Sequence, residues 1–527
     1  MSDGERFPYR WKVLVSVIFG LFMVVLDTTV VNVAFQTLRR EFNATLADSQ
    51  WIISIYVLSL GIATPLAGFL ADRVGIKRVY VGGLATFVAG SLLCGVAPSL
   101  RLLVAARALQ GFGGGLAIPL GTALLLRAFR PQEQGFALGV FGVVLLVAPA
   151  LGPILGGVLV DADRWRWIFF INLPIGLLGV VLASRFLREQ RSESRGPLDL
   201  PGLVTEVVGF GSVLYAASLA EQRGWTASEV LLWFGIGAAG LVAFVVVELF
   251  VAEAPLLDLR LYGKRTFLLA TLVGYVSVLA LFGAEFLLPL YLQSLRGKTA
   301  LQTGFILVPL AVSAAVAAPL AGRLYDRVGP RPLLVAGFSL LAVNTWQLSR
   351  LDADTPVRWI LLLLVLRGLA LGMTVQTTMV TALSVVTGPQ LPRGSSLVNA
   401  TRQVVQSIGV AVLATILAST LSPEVKAFQL RAQEAPVRAG HSFAICGGGT
   451  PAAPPGGSAG VEVPPALALR ACRESVAGFE RAYRYTFYLS FVAILLGALL
   501  PGWPREWAGR RSAAHPESGI AGGGGGA

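Results

Sequence analysis

Apolar residues in this chain come in long blocks, one after another, and that pattern restricts the fold more than any other feature. Each block runs about 18 to 25 residues, the length a helix needs to cross about 30 Å of hydrocarbon. Charged residues make up only 13% of the 527 positions, against roughly 25% in a soluble domain, and mean hydropathy is +0.72. Spans are expected at 12–36, 49–71, 79–97, 102–127, 134–160, 167–187, 200–220, 229–251, 266–293, 302–323, 331–349, 357–386, 394–421 and 482–502. The first block, Trp11 to Phe35, is too long for the apolar region of a cleavable signal, and no small-residue cleavage site follows it.

Fourteen spans put both termini on one side. Of the 42 Lys and Arg, about 22 fall on the terminus side, about 10 in short loops opposite, about 7 in the long loop after span 13 and about 3 inside spans. The termini are therefore expected in the cytoplasm, with the protein a multi-pass resident of a bacterial inner or plasma membrane. The net charge of +13 lies between apolar blocks, with no basic patch interleaved with aromatics, so nucleic acid is not an expected partner. Residues 422–481 become an extracytoplasmic loop holding Cys446 and Cys472, where a disulfide between the two is permitted and expected. Cys94 falls in span 3 as core filler.

One segment occurs twice. Pro65-Leu66-Ala67-Gly68-Phe69-Leu70-Ala71-Asp72-Arg73-Val74-Gly75 returns, 254 residues on, as Pro319-Leu320-Ala321-Gly322-Arg323-Leu324-Tyr325-Asp326-Arg327-Val328-Gly329. The copies end spans 2 and 10, a displacement of eight spans. Two parallel bundles of six with two extra spans between them account for it, and such repeats place a substrate site at their interface. The expected fold is thus an all-α membrane protein: two pseudo-symmetric six-helix bundles plus two inserted linker spans. Residues 1–11 form a cytoplasmic N-terminus, 12–187 the first bundle and 188–265 cytoplasmic loops with the inserted pair. Residues 266–502 form the second bundle with its outer loop, and 503–527 a disordered cytoplasmic tail.

The turn from Gly68 to Arg78 resembles the cytoplasmic-loop signature of the major facilitator superfamily. Arg107-Ala108-Leu109-Gln110-Gly111 resembles its fourth-helix motif, and Pro149-Ala150-Leu151-Gly152-Pro153-Ile154-Leu155-Gly156-Gly157 the motif that marks its antiporters. Leu26-Asp27-Thr28-Thr29-Val30-Val31-Asn32-Val33-Ala34 and the stretch Trp165 to Gly176 look like the fourteen-span drug:proton antiporter branch, the EmrB/QacA type. Departures are Gln36, where the branch usually has proline, and the long loop before span 14. The resemblance implies that Gly68, Asp72, Arg73, Gly75 and Arg78 form a latch against the start of span 13 near Gly394, with Asp326 and Arg327 mirroring it against span 5. It implies efflux of lipophilic, cationic small molecules in exchange for protons. Export of a lipid-like or anionic metabolite is the alternative, with import on the same fold behind it. A periplasmic adaptor protein is retained as a candidate partner, alongside membrane lipid.

The residues carry their own reading. Glycines permit tight reversals, and an acid near a helix N-terminus gains about 0.3–1 kcal/mol from the dipole. In span 5, Gly152, Gly156 and Gly157 allow close approach while Pro149 and Pro153 bend the helix. Ionisable groups in hydrocarbon cost about 2.5–3.5 kcal/mol and mark function. Asp27 and Glu285 lie 258 residues apart, and Arg107 and Arg367 lie 260 apart, so each bundle carries one acid and one arginine. Asp27 sits about 12 Å from the outer end of its span at 1.5 Å per residue, on the face it shares with Ser16 and Gly20. An isolated carboxylate in an apolar cavity holds its proton more tightly, and a nearby arginine loosens it. Asp27 and Glu285 are therefore the expected proton and cation sites, with Arg107 tuning Asp27 and Arg367 placed alike. Glu206 lies in the inserted pair, away from the expected cavity, and reads as structural.

Cavity candidates are Gln110, Tyr275, Phe282, Phe286, Tyr291 and Gln376, with a polar stripe of Asn399, Arg402, Gln403 and Gln406 on span 13. That stripe either lines the cavity or packs on span 2. No G-x-x-x-x-G-K-[ST] loop occurs, and both histidines, His441 and His515, lie outside the spans. An ATP-driven pump, an enzyme, a metal site and a cofactor are therefore not expected.

Overall fold

The chain is seen in a computed structural model, which describes residues 8–190, 199–224, 227–253, 255–352, 354–426, 446 and 465–501, and of 46–47, 221–223, 280–286, 300, 411, 465 and 468 the backbone alone. Every regular element among them is a helix. Fifteen α-helices follow in order: α1 (Tyr9–Glu41), α2 (Leu46–Val74), α3 (Ile76–Gly95), α4 (Leu100–Ala128), α5 (Gln134–Asp161), α6 (Trp167–Phe170), α7 (Asn172–Phe186), α8 (Leu200–Arg223), α9 (Ser228–Val246), α10 (Arg265–Leu290), α11 (Ala300–Val328), α12 (Pro330–Leu348), α13 (Val357–Leu383), α14 (Leu391–Ser419) and α15 (Pro465–Ala498). Among the described residues, eleven are long and apolar enough to cross a membrane. Helices suit that solvent because each satisfies its own backbone polar groups.

Helix starts follow local chemistry. Thr45 accepts the Asp48 N–H at the start of α2, Ser99 that of Leu102 at α4, and Asp199 that of Gly202 at α8. Thr299 and Gln302 form a reciprocal capping box at α11. Gly75 and Gly329 take positive φ, +109° and +82°, at the two short turns that reverse the chain after α2 and α11.

Packing repeats between the halves. In the first, α1 lies against α5 and α7, α2 against α4, and α3 against α4 and α7. In the second, α10 lies against α14 and α15, α11 against α13, and α12 against α13 and α15. The halves meet where α5 lies along α11 and α2 along α14. The α5–α11 seam is built of small residues. A Cβ on Gly135 would strike the Gly322 carbonyl, one on Gly139 that of Ala318, and one on Gly322 that of Gly135. The pair α8–α9 packs on itself through Gly209, Gly237 and Gly240, and α8 also touches α2 and α14. The outward side of α9 and of the turn that continues it is bare apolar surface, including Leu232, Val242 and Phe250.

Both described ends lie on one face, hereafter the terminus face. Arg10 pairs with Glu133 before α5 at 2.7 Å, and Arg331 Nε donates to the Leu500 carbonyl at 2.8 Å. On the opposite face Cys446 is bonded to Cys472 across a Cα separation of 5.1 Å, and the Cys446 N–H donates to the Leu295 carbonyl.

Helix bounds differ from the expected spans in several places. The last helix begins at Pro465, ahead of the span expected from 482, so the final residues of 422–481 are helical. Arg470, Glu474 and Glu480 lie on this extension, and their charge hides it from an apolarity criterion. Span 1 is longer than expected at both ends, and span 6 is broken at Ile171 into α6 and α7. The tail 503–527 and most of 427–464 lie outside the described residues.

Replacing Gly322 by Leu should force α11 off α5 and cost about 1–3 kcal/mol. Gly82, whose Cβ would meet nothing within 4 Å, should accept Leu without loss. Thermal unfolding of the two variants in detergent measures the difference.

Candidate functional site

The deepest polar cluster lies within the first half, between α1, α3, α4 and α7. Asp27 and Arg107 are each 1% exposed. Arg107 Nη1 is bonded to Asp27 Oδ2 and also donates to Gln110 Oε1 at 2.7 Å. The other carboxylate oxygen, Oδ1, accepts from Gln110 Nε2 and from Asn172 Nδ2, both at 2.8 Å. Those two amides also reach Ser91 Oγ, at 2.6 and 3.2 Å. Arg107 Nε donates to the Ile52 carbonyl at 3.1 Å, and the guanidinium carbon lies 4.0 Å from the centre of the Tyr56 ring. A charge pair removed from water holds only if such hydrogen bonds satisfy it, and here both carboxylate oxygens are satisfied.

Local sequence explains the placement. Arg107 and Gln110 are three residues apart and share a face of α4. Gly111 on that helix lies against the Tyr56 carbonyl, where a Cβ would collide, so α2 comes close enough for Ile52 and Tyr56 to reach the guanidinium. Gly20 on α1 lies against Tyr80 and Leu84, which seats the Asp27 face of the helix on α3.

The second half carries the counterpart. Arg367 on α13 is 1% exposed, and its Nη1 lies 3.3 Å from Asn344 Oδ1 and 3.4 Å from Thr345 Oγ1 on α12. Thr345 stands 254 residues beyond Ser91, the offset of the duplicated turn. Glu285, Phe282 and Phe286 fall on α10, with side chains outside the described residues.

At the terminus face the duplicated turns bridge the halves. Arg393 at the start of α14 donates through Nε to Asp72 Oδ2 at 2.6 Å. Gly68 lies against the Arg393 backbone, with no room for a Cβ. Asp326 instead accepts the N–H groups of Gly135 and Phe136, at 2.9 and 3.0 Å, at the N-terminus of α5. Arg127 adds to these contacts by donating to the carbonyls of Gly388 and Pro389 at 3.0 and 3.1 Å. Gly75 and Arg78 belong to a neighbouring contact in which the Glu189 carboxylate accepts the N–H groups of Lys77 and Arg78 at the start of α3. Arg73 and Arg327 are exposed.

The span 5 motif is wedged between the halves. Gly152 and Gly156 lie on α1, against Thr29 and Val33, while Gly157 and Pro153 face Leu301 and Gly304 of α11. Pro149 and Pro153 are both inside α5.

The cavity candidates divide. Gln110 belongs to the Asp27 network rather than to a cavity wall. Gln376 lies in a tight crevice between α5, α11 and α13, and its amide nitrogen has no hydrogen-bond partner. Tyr275 shares a hydrogen bond of 2.8 Å with Tyr262. Asn399 donates to the Ser395 carbonyl, while Arg402, Gln403 and Gln406 are half-buried. Gln403 Oε1 lies 3.4 Å from the point where Gly61 of α2 would carry a Cβ. Tyr291 is remote from these, bonded to the Asp352 carbonyl on the face opposite the termini. Asn172, Ser91, Tyr56 and Arg393 were not singled out by sequence. The shared 254-residue offset linking Ser91 to Thr345 was the signal available for one of them.

Comparison with known proteins agrees with this architecture. The family model described as Major Facilitator Superfamily matches residues 17–410. The chain is 36% identical over 400 residues to the "Multidrug resistance protein B homolog" of Mycobacterium tuberculosis (strain ATCC 25618 / H37Rv), covering 75% of this chain and 74% of that one. It is 34% identical over 405 residues to the "Uncharacterized MFS-type transporter YhcA" of Bacillus subtilis (strain 168), covering 77% and 76%. It is 29% identical over 407 residues to the lincomycin resistance protein LmrB of Listeria monocytogenes serovar 1/2a, covering 77% and 86%. Among solved structures, the human organic anion transporter MFSD10 (TETRAN) superposes with a TM-score of 0.57 at 15% identity, covering 92% of this chain and 100% of that one, a likeness of fold. The chain is a multi-span membrane transporter and belongs to the major facilitator superfamily.

Proposed function

We propose that this transporter is a fourteen-span, proton-coupled exporter of lipophilic, cationic small molecules across the cytoplasmic membrane, working by alternating access between two six-helix bundles. The observation that carries the reading is the buried Arg107–Asp27 pair. A carboxylate inside hydrocarbon keeps its charge only while its donors stay in place. Loss of the guanidinium contact leaves Asp27 to bind a proton, and return of Arg107 expels it. Glu285 has the corresponding position in the second bundle. An inward proton supplies about 2.3 kcal/mol per 100 mV of membrane potential. The names of the relatives, which speak of multidrug and lincomycin resistance, favour export and drug-like cargo.

The terminus face is the cytoplasmic one in this reading. The contacts of Asp72 with Arg393, and of Asp326 with the N-terminus of α5, then hold the cytoplasmic entrance shut. The span 5 prolines and glycines form the surface on which the bundles rock.

A second reading is favoured by the completeness of the network. With both oxygens satisfied and almost no exposure, Asp27 is a structural pin that holds α1, α4 and α7 together. Inside-out vesicles with an imposed pH gradient separate the two. In the export reading, adding a cationic dye to wild-type vesicles collapses part of the gradient as dye enters the lumen, and Asp27→Asn folds but shows neither movement. Full dye-driven proton movement in Asp27→Asn leaves only the structural pin. Dye leaving the lumen with protons indicates import.

The latch is tested separately with spin labels on Val74→Cys and Thr387→Cys, both exposed at the terminus face. Asp72→Asn removes a charge-assisted bond of about 1.5–3 kcal/mol. It should add a population at longer label separation, and an unchanged distance distribution would remove Asp72 from the latch.

A further inference from the structure

The inserted pair α8–α9 holds a polar feature that neither the Asp27 network nor the latch uses. Glu206, on the second turn of α8, is 0% exposed, and neither of its carboxylate oxygens has a hydrogen-bond partner. The charged group that acts on it is another acid, Glu248, itself 1% exposed, in the π-helical turn Val247–Val251 that continues α9. Glu248 is held in place by the N–H groups of Leu256 and Leu257, at 3.1 and 3.4 Å. Asp199, which caps α8 with one oxygen and leaves the other unpartnered, also acts on Glu248. No cation touches Glu206 among the described residues.

Two acids in one buried site do not both stay charged without a cation, because each disfavours the other's ionisation and no water screens them. Glu248 has backbone donors suited to a carboxylate, and Glu206 has none. The proton therefore belongs on Glu206.

The cation nearest in effect is Arg393 on α14, which acts on Glu248 while bonded to Asp72 of α2. Packing puts these groups together: α8 touches both α2 and α14. The chain between α9 and α10 is tied to the start of α14, since Gln390 donates to Asp258 at 3.4 Å and Lys264 to the Val385 carbonyl at 2.9 Å. Glu206 thus faces Glu248 from the π turn after α9, Asp199 and Arg393 act in turn on Glu248, and Asp72 from α2 lies behind Arg393. Arg127 from α4 acts on Asp72 in turn.

We propose that Glu206, with Glu248, is a proton-binding site built into the inserted helix pair, and that loss of its proton weakens the hold of Arg393 on Asp72. With Glu206 neutral, Asp72 is the stronger partner for Arg393 and the terminus face stays closed. With both glutamates charged, Arg393 is drawn from both sides and the α2–α14 contact loosens. The site gives the two extra spans a regulatory role, and its second half rests on the alternating-access reading above.

The test uses full-length protein in lipid vesicles. Infrared difference spectra between acidic and alkaline pH should show a protonated-carboxyl band that is lost in both Glu206→Gln and Glu206→Met, retained at a shifted frequency in Glu206→Asp, and retained in Asp27→Asn. Two variants without the carboxyl are made so that one folded protein suffices. A spectrum that Glu206→Gln and Glu206→Met leave unchanged would overturn the site, whatever the vesicle transport assay shows. The spin-labelled Val74→Cys/Thr387→Cys pair should gain long separations as pH rises, and Glu206→Gln should remove that dependence. Equal pH dependence with and without the Glu206 carboxyl would overturn the link to the latch.

Discussion

An aspartate and an arginine buried in one apolar bundle must find each other, and much of the first half is arranged around that need. Asp27 comes from α1, Arg107 and Gln110 from α4, Asn172 from α7 and Ser91 from α3. Four helices thus converge on one carboxylate, and a fifth, α2, contributes a carbonyl and an aromatic face. Breaking such a pair by removing one partner costs about 3–5 kcal/mol, because the other charge stays buried. The same cost gives the site its chemical leverage. In the proposed mechanism, a small shift of α4 relative to α1 decides whether a proton is the better partner.

The duplicated turns solve one problem in two ways. Asp326 binds the backbone N–H groups at the start of α5 directly, which needs the close approach permitted by Gly135 and Gly322. Asp72 instead meets a side chain, Arg393, at the start of α14. A guanidinium can turn to another acid, whereas a helix N-terminus cannot. In the proposed mechanism the α2–α14 side is therefore the adjustable one, and it is the side on which the inserted α8 lies.

How much was legible in the sequence follows from what each residue costs. Charges in hydrocarbon are expensive, so Asp27, Arg107 and Arg367 stood out, and the 254-residue repeat placed Asp72 and Asp326 at equivalent turns. Neutral polar residues carry little penalty in a membrane helix, so Asn172 and Ser91 did not stand out by cost although they complete the Asp27 shell. Arg393 looked like any loop cation on the basic side. The first turns of α15 escaped because an amphipathic helix with Arg470 and Glu474 reads as loop on a scale that scores apolarity. Glu206 was read as structural because it lies in the inserted pair, away from the expected cavity, and its surroundings depend on how Glu248, 42 positions later, folds back in a π turn.

The central claim, that Asp27 exchanges a proton for cargo, is tested most directly by counting protons at equilibrium. Calorimetric titration of a cationic substrate into the purified transporter, repeated in buffers of different ionisation enthalpy, reports the protons released on binding. The account predicts that wild type releases protons and that Asp27→Asn binds the substrate with a smaller release. Equal release from the two proteins would contradict it.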